Sequence, residues 1–246
     1  MKSDIALIRY HERLGDVVRC LPIARHLANA GFTVYHECLP QYHRIFQNVS
    51  YVRPVAPGLG ISPDRVYNLQ IWPRRYEAFR ASGLPWWEFV TSLYDELHGL
   101  PLHIEFDALP AHDLRAKYGL PADYSLLCPF GYSQLHPVPP QEFFALHDGL
   151  WSEGADYILA DAHQREQLLD QGWPAAHLLS ADLADLPALI RDARHLLTIN
   201  SAPDIIASAV RETWHKIPEA NPQDDVRFPG RQIVVPRRHF APEQIR

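Results

Sequence analysis

The side chain that points most directly to chemistry is Asp16, which follows Gly15 at the start of a predicted helix. The aliphatic run from Ile5 to Arg9 is typical of a buried parallel strand, and a short loop separates it from Gly15. Open parallel sheets bind ligands beyond the carboxyl ends of their strands, which is where this loop must lie. Gly15 permits the close approach of a ligand or of another backbone. Asp16 is therefore a candidate ligand-facing carboxylate, or else it only complements the helix dipole.

The other reactive side chains form no recognisable metal or disulfide motif. The chain has 14 histidines, but they include neither a His-Glu-x-x-His pattern nor a tight cluster with acidic residues. The 3 cysteines are far apart and lack Cys-x-x-Cys spacing. We expect no bound metal, and we expect Cys20, Cys38 and Cys128 to be small buried thiols.

The elements around Asp16 have the pattern of a βαβ unit. After the first strand, apolar residues at helical spacing predict one helix from Gly15 to Gly31, and Phe32 to Cys38 predicts the second strand. Two more strands are predicted at Tyr51–Val55 and Arg65–Ile71, and an amphipathic helix at Trp86–Leu97. The first half of the chain therefore reads as a parallel α/β domain.

The alternation of strands and helices restarts after a polar stretch at residues 109–123. Strands are predicted at 124–128, 157–160, 196–199 and 232–235, and helices at 140–150, 164–171, 183–193 and 205–210. The sequence predicts two Rossmann-like α/β halves that face a cleft. We place an N-terminal domain at residues 1–115 and a C-terminal domain, with a Pro-rich tail, at 116–246.

Composition narrows the classes of partner. The chain of 246 residues is 47% hydrophobic and carries a formal net charge of −6, which argues against broad binding of nucleic acid or of an anionic membrane. The apolar run after the N-terminus is too short for a signal peptide, and no stretch is long enough to span a membrane. We therefore expect a cytoplasmic protein without a membrane span.

Several short segments occur in the order and spacing of a known family. They are Ile5 to Arg9 with Leu14-Gly15-Asp16-Val17, then Cys128-Pro129-Phe130-Gly131-Tyr132-Ser133, Val138 to Phe143, and Asn200-Ser201-Ala202-Pro203. Together they resemble the heptosyltransferase-like glycosyltransferases of family 9. The corresponding segments of that family are an Ile-Val-Arg strand with a Leu-Gly-Asp-Val turn, a His-Pro-Gly-Ala-Ser turn and an Asp-Ser-Gly-Pro turn. The resemblance is patchy but ordered over about residues 4–216, and it implies a diverged and shortened GT-B fold.

The chain departs from the family pattern at the donor side. A family Lys that faces the donor phosphates falls on His136, and Asn200 stands where the family has an acidic residue. Ala202 replaces the family Gly, and Ile205 replaces a His. The turn from Asn200 to Pro203 can still direct backbone N–H groups at an anion, because it leads into a helix. We therefore expect diphosphate binding but leave the nucleotide and the sugar open.

The resemblance implies a role for each candidate residue. Asp16 would be the catalytic base. The donor would be bound by Gly15, Gly131, Tyr132, Ser133, His136, Asn200, Ser201 and Ala202. The acceptor would be bound by His11, Gln70, Arg74 and Arg75. Gln70 alternatively only terminates a strand, and the two arginines, with Arg80, alternatively form a solvated surface.

The predicted function is that of an inverting glycosyltransferase. It would move a sugar from a nucleotide sugar, its co-substrate, to the hydroxyl of an acceptor such as a glycan, a lipopolysaccharide-like molecule or a small molecule. The arginines favour an anionic acceptor, and no metal or other cofactor is expected. One alternative is a glycosyltransferase of the phage type that modifies bases in DNA. The other is a degenerate, non-catalytic module that binds nucleotide sugars.

Overall fold

The computed structural model describes residues 4–10, 13–110, 113–131, 140–151, 155–218 and 225–235. Within these ranges the chain forms ten strands, nine α-helices and three 3₁₀ segments. The strands make two separate sheets of four and six strands, and every strand pair is parallel. The predicted class, α/β with two Rossmann-like halves, is confirmed.

The first sheet has the strand order β3-β2-β1-β4. Its strands are β1 (Ile5–Arg9), β2 (Thr33–Glu37), β3 (Arg53–Val55) and β4 (Arg65–Asn68). The central strand β1 is apolar and almost entirely buried, as expected of a parallel strand covered on both faces.

Four helices and two 3₁₀ segments complete the first half. The helices are α1 (Leu14–Arg19), α2 (Leu21–Asn29), α3 (Tyr76–Ser82) and α4 (Trp86–Thr91), and the 3₁₀ segments are Pro40–Asn48 and Asp95–Leu97. The single helix predicted from Gly15 to Gly31 is wrong: it is interrupted at Cys20, because Pro22 has no N–H for a continuous hydrogen-bond ladder.

The helix predicted at Trp86–Leu97 is also shorter than expected. It ends at Thr91, where the Thr91 hydroxyl donates to the carbonyl of Trp87 at 3.0 Å and the Ser92 hydroxyl donates to that of Phe89 at 2.7 Å. Hydroxyl groups that bind nearby carbonyls compete with helix continuation. The chain then turns into the 3₁₀ segment at Asp95–Leu97.

The second sheet has the strand order β10-β9-β8-β5-β6-β7. Its strands are β5 (Tyr124–Cys128), β6 (Ala155–Leu159), β7 (Leu178–Leu179), β8 (His195–Thr198), β9 (Trp214–Lys216) and β10 (Gln232–Val234). Its helices are α5 (Arg115–Tyr118), α6 (Pro140–Leu150), α7 (Ala162–Asp170), α8 (Leu186–Asp192) and α9 (Ala202–Val210), and a 3₁₀ segment covers Ala175–His177. The short strands β7 and β9 were not predicted, and α9 begins three residues before the predicted start at Ile205.

One cluster of buried side chains extends across both halves: it includes Ile8 and Val17 from the first and Leu126 and Ile205 from the second. A second cluster, which includes Leu127 and Ile158, lies within the second half. Helix α1 packs against helix α9 where the halves meet. The first sheet lies within residues 1–115 and the second within 116–246, but the domain boundary itself stays a prediction. In the described part of the chain, no helix is long and apolar enough to cross a membrane.

Candidate functional site

The strand orders predict a ligand site beyond the carboxyl ends of the strands in each sheet. In the first sheet the chain order reverses between β1 and β4, and in the second it reverses between β5 and β8. The crevice beyond the carboxyl ends at such a reversal is where open α/β sheets bind ligands. The loops that leave these four strands lead to Asp16, Gln70, Gly131 and Asn200. Both reversals therefore carry predicted site residues.

Gly15 brings the two halves into direct backbone contact. A Cβ atom placed on Gly15 would lie 3.4 Å from the backbone nitrogen of Ala202 and 3.6 Å from its Cα. The first turn of α1 therefore lies against the first turn of α9 with no side chain of residue 15 between them. This is the close backbone approach that a glycine allows.

The Asp16 carboxylate belongs to a ring of four side chains. Its Oδ1 lies 3.2 Å from an Nη atom of Arg19, three residues later on α1, and the two side chains are 12% and 9% exposed. The Arg19 guanidinium lies 4.9 Å from the centre of the Trp86 ring. Trp86 contacts the Tyr10 ring edge to face at 5.9 Å, and Tyr10 lies near enough to Asp16 to feel its negative charge. Arg19 thus pairs with the carboxylate, and Tyr10 lies close to it.

The Tyr10 phenol is protonated beside that carboxylate. Burial is the main cause that raises the pKa of Tyr10, and the negative charge of Asp16 raises it further. The phenol therefore keeps its proton at neutral pH. Arg19 Nε is buried and has no hydrogen-bond partner among the described residues, so the Arg19 side chain is fixed mainly by Asp16 and Trp86.

The facing turn is formed by Asn200, Ser201 and Ala202 at the end of β8. Asn200 is buried, and its Oδ1 lies 3.5 Å from the Val226 N–H. The Ser201 hydroxyl points to the Ile199 carbonyl at 3.4 Å instead of capping α9. The first N–H groups of a helix have no partner inside the helix. The Ser201 side chain consequently does not satisfy the first N–H groups of α9.

A buried ion cluster lies next to this turn and includes Asp204 in the first turn of α9. Lys216, at the end of β9, lies 2.9 Å from Asp204 on α9 and 2.9 Å from Asp225, and it donates to the Val226 carbonyl at 2.5 Å. Asp204 also accepts hydrogen bonds from Trp214 at 2.7 Å and from Gln232 at 2.9 Å. Burial raises the pKa of Asp204, and the contacts with Lys216 oppose that rise.

The acceptor candidates of the first half follow β4. Arg75 donates from Nη1 to the carbonyls of Asn68 at 2.6 Å and Gln70 at 3.1 Å, so it holds the end of the strand. Gln70 is half-buried, and Arg74 is exposed. Both lie on the edge of the sheet that carries Asp16, since β4 is paired with β1.

Comparison with solved structures decides the fold. The chain matches a family 9 glycosyl transferase from Veillonella parvula with 15% identity and a TM-score of 0.66, over 96% of this chain and 88% of that one. The chain has the fold of the family 9 glycosyltransferases. It likewise matches ADP-heptose lipopolysaccharide heptosyltransferase II from E. coli with 14% identity, a TM-score of 0.69 and coverage of 94% and 90%. It also matches E. coli heptosyltransferase WaaC, solved with ADP, with 11% identity and a TM-score of 0.59, over 94% of this chain and 90% of that one.

The resemblance to this family that the short motifs indicated is therefore confirmed at the level of the fold. No family model matches the sequence, and no curated protein matches it either. The chain shares with these structures only 11–15% of its residues, so the resemblance in sequence is limited to short turn segments that occur in the same order.

Not every predicted site residue can be placed within this glycosyltransferase fold. His11, Tyr132, Ser133 and His136 lie outside the described residues, so their predicted contacts stay predictions. Gly131 is half-buried shortly after β5, on the edge that also carries Asn200. Among the described residues no group of three or more His, Cys, Asp or Glu side chains has the arrangement of a metal site.

Sequence reasoning missed the residues that surround Asp16. Arg19 has a local signal, because residues three apart on a helix share a face. Tyr10 is the first residue after β1, so its proximity is also readable from the chain. Trp86 has no such signal, since its contact with Arg19 depends on how α4 packs. Lys216 was hidden because β9 was not predicted.

Proposed function

We propose that this protein is an inverting glycosyltransferase that moves a sugar from a nucleotide-sugar donor to the hydroxyl group of an acceptor. The observation that carries the proposal is the close approach of Gly15 to Ala202, whose nitrogen would lie 3.4 Å from a Cβ atom on residue 15, within a fold shared with family 9 glycosyltransferases. It sets Asp16 on α1 beside the first turn of α9, so a carboxylate and a potential anion site belong to the same junction.

Asp16 is the proposed general base. It takes the proton of the acceptor hydroxyl while the hydroxyl oxygen attacks the anomeric carbon of the donor. The bond from that carbon to the diphosphate oxygen breaks on the opposite face, and its electron pair leaves with the diphosphate. Arg19 supports this role because its guanidinium fixes the orientation of the carboxylate.

The turn at Asn200–Ala202 is proposed to receive the leaving diphosphate. Helix α9 directs the positive end of its dipole and its first N–H groups toward this turn. Donors fixed before the reaction stabilise a leaving anion without reorganising during it. Gly131 and, outside the described residues, Tyr132, Ser133 and His136 would complete the donor site.

A second candidate function is a non-catalytic module that binds nucleotide sugars. The observation in its favour is that the Asp16 carboxylate is already paired with Arg19. A carboxylate that only stabilises its own helix would have such a partner. The two functions differ in whether Asp16 is needed for turnover.

The test begins with thermal-shift measurements against nucleoside diphosphates and nucleotide sugars. A ligand at 100 times its dissociation constant stabilises a protein by about 2.7 kcal/mol. ADP-heptose is the first donor to try, because a structural neighbour from E. coli is described as an ADP-heptose heptosyltransferase. Release of the nucleoside diphosphate from each bound nucleotide sugar then measures turnover.

Asp16→Asn is the decisive variant. We expect donor binding within a few-fold of wild type and a loss of turnover of about 10²–10⁴, the usual contribution of a general base. The control Asp123→Asn removes an exposed carboxylate from the surface and should change neither quantity. Near-normal turnover of Asp16→Asn would exclude the proposed mechanism. Donor binding without turnover in the wild-type protein would favour the non-catalytic module.

A further inference from the structure

Arg227 is an exposed arginine whose side chain is nevertheless held in place. Its Nε donates to the Asp225 carboxylate at 2.8 Å, and the Asp225 side chain is only 2% exposed, whereas that of Arg227 is 58% exposed. The two Nη groups of Arg227 donate to no residue in the part of the chain that the structure describes. Because the five N–H donors of a guanidinium lie in one rigid plane, an arginine held through Nε still offers both Nη groups to a second anion.

The segment that carries Arg227 is anchored against the turn that begins at Asn200. The Val226 N–H lies 3.5 Å from Asn200 Oδ1. The Val226 carbonyl accepts hydrogen bonds from Lys216 at 2.5 Å and from Gln232 at 3.2 Å. The residue next to Arg227 is therefore fixed to the end of β9 and to the turn that precedes α9. This brings a partly exposed cation to the turn that the proposed mechanism assigns to the leaving diphosphate.

Arg227 also decides the net charge beside that turn. Asp204, in the first turn of α9, and Asp225 are buried carboxylates, and Lys216 lies 2.9 Å from each. One lysine does not balance two ionised carboxylates, so without Arg227 the cluster would repel an anion at the turn. Burial raises the pKa of Asp204, and a protonated Asp204 would leave the cluster with a net positive charge. In either state of Asp204, Arg227 favours an anion.

The donor side of the sequence lacks a permanent cation where the family pattern has one. The family Lys that faces the donor phosphates falls on His136, and an ordinary histidine is positively charged only below about pH 6.5. An arginine keeps its positive charge at every physiological pH. Arg227 therefore has the property that the change from Lys to His136 removes.

We propose that Arg227 binds the diphosphate of the donor through its Nη groups and supplies the permanent positive charge that His136 does not. The inference rests on the proposed glycosyl transfer, and it adds a residue that lies beyond the span of the family resemblance, residues 4–216. Asp225 orients the guanidinium through Nε, and the first N–H groups of α9 bind the same anion. When the bond from the sugar to the diphosphate breaks, the new negative charge meets a cation that is already oriented.

The competing interpretation is that Arg227 serves only to neutralise the buried carboxylate of Asp225. The two interpretations differ in what depends on Arg227. A residue that binds the donor changes the affinity for a diphosphate, whereas a residue that only neutralises Asp225 changes the stability of the fold and leaves that affinity intact. The test therefore measures both quantities on the same variants.

The experiment measures the binding of inorganic pyrophosphate to the full chain by calorimetry at pH 8. Pyrophosphate carries a diphosphate without a base or a sugar, so the result does not depend on which nucleotide the protein prefers. An ordinary histidine is neutral at this pH, so His136 adds little positive charge. Orthophosphate is the comparison. We expect pyrophosphate to bind more tightly than orthophosphate, and more weakly as salt increases.

Three variants assign the binding to Arg227. Arg227→Gln should weaken pyrophosphate binding about tenfold or more, because it removes both the charge and the Nη groups. Arg227→Lys should weaken it less, since a lysine keeps the charge but cannot hold Asp225 and the anion in one rigid fork. The matched control Arg194→Gln removes another partly exposed arginine of the second half, which pairs with Asp123, and should leave binding unchanged. The Tm of each variant is measured in parallel.

The proposal is overturned if the wild-type protein binds no pyrophosphate, or if Arg227→Gln lowers Tm but binds pyrophosphate as tightly as wild type. If Arg227→Gln does not fold, unchanged affinity in Arg227→Lys overturns it instead. A loss of affinity in Arg194→Gln equal to that in Arg227→Gln would also refute it, because the effect would then be one of overall charge.

Failure of the proposed function has a different signature. The function fails if nucleotide sugars are not turned over or if turnover does not depend on Asp16. Pyrophosphate binding that requires Arg227 in a protein without turnover would support the role of Arg227 and refute the transferase. Turnover that requires Asp16, together with unchanged pyrophosphate affinity in Arg227→Gln, would refute the role of Arg227 alone.

Discussion

Lys216→Met should be among the most destabilising single substitutions in this protein. The Lys216 side chain is 1% exposed, and its ammonium group has partners in two buried carboxylates and one carbonyl. Methionine fills a similar volume but leaves Asp204 without its cation, whereas Asp225 keeps an ion pair with Arg227 at 2.8 Å. Removing one member of a buried ion cluster costs about 3–5 kcal/mol, because the remaining charge is buried and uncompensated.

That cost translates into a large shift of the thermal midpoint. For a chain of this size 1 kcal/mol corresponds to about 2–4 °C, so we expect Tm to fall by roughly 6–20 °C in calorimetry. Asp204→Asn should cost less, since Lys216 keeps Asp225 and the amide oxygen still accepts from Trp214. The matched control is Lys117→Met, which removes an exposed lysine from Asp185; the Tyr118 hydroxyl still donates to Asp185 at 2.7 Å, so we expect a much smaller fall in Tm.

The pH dependence gives a second check on the same reasoning. Burial raises the pKa of Asp204, and without Lys216 only the hydrogen bonds from Trp214 and Gln232 oppose that rise. A carboxyl whose pKa is raised in the folded state contributes stability below its unfolded pKa, near 4, and loses it as pH increases through the folded value. The deficit of Lys216→Met should therefore shrink in acid. A Tm equal to that of Lys117→Met, or a deficit constant from acidic to neutral pH, would refute a destabilisation caused by buried charge.

Two further predictions concern the thiols and the contact between the halves. Burial raises the pKa of Cys38 to about 12 and raises those of Cys20 and Cys128 as well. Because the thiolate is the reactive form, we expect a thiol reagent to label no cysteine in the folded protein near pH 8 and all 3 after unfolding. Arg44 in the first half lies 2.6 Å from Asp182 in the second. Burial alone would raise the pKa of Asp182, but the Arg44 contact and the hydrogen bond from the Ala184 N–H are stronger, so the pKa of Asp182 is lowered. Arg44→Met should therefore be slightly less stable than wild type at neutral pH, and the difference in Tm should vanish as pH falls through the pKa of Asp182.

Much of the fold is readable from the sequence because its central strands are continuous apolar runs. Strands β1 and β5 occur where they are predicted, since a buried parallel strand leaves a recognisable pattern. The short strands β7 and β9 have two and three residues and leave no such pattern. β9 is also disguised, because its buried Lys216 reads as a surface residue until Asp204 and Asp225 are seen around it.

The site is readable only where chemistry is local in the chain. The Gly15-Asp16 turn is visible because a strand, a loop and a helix start follow in order. The contact of Gly15 with Ala202 depends on packing between the two halves, which no periodicity encodes. For the same reason Arg75 looks like a ligand contact in the sequence, whereas it is held by carbonyls at the end of β4. Its predicted role toward an acceptor stays a prediction.

Gly15 lies where α1 of the first half meets α9 of the second, so the size of its side chain determines how closely the two halves approach. With a Cβ at 3.4 Å from the Ala202 nitrogen, alanine would just reach van der Waals contact. A branched side chain would act as a wedge and push the first turn of α9 away from Asp16. In the proposed mechanism the size of residue 15 therefore limits how closely Asp16 and the leaving diphosphate approach, so a change of a few atoms there would alter reaction geometry without touching any reacting group.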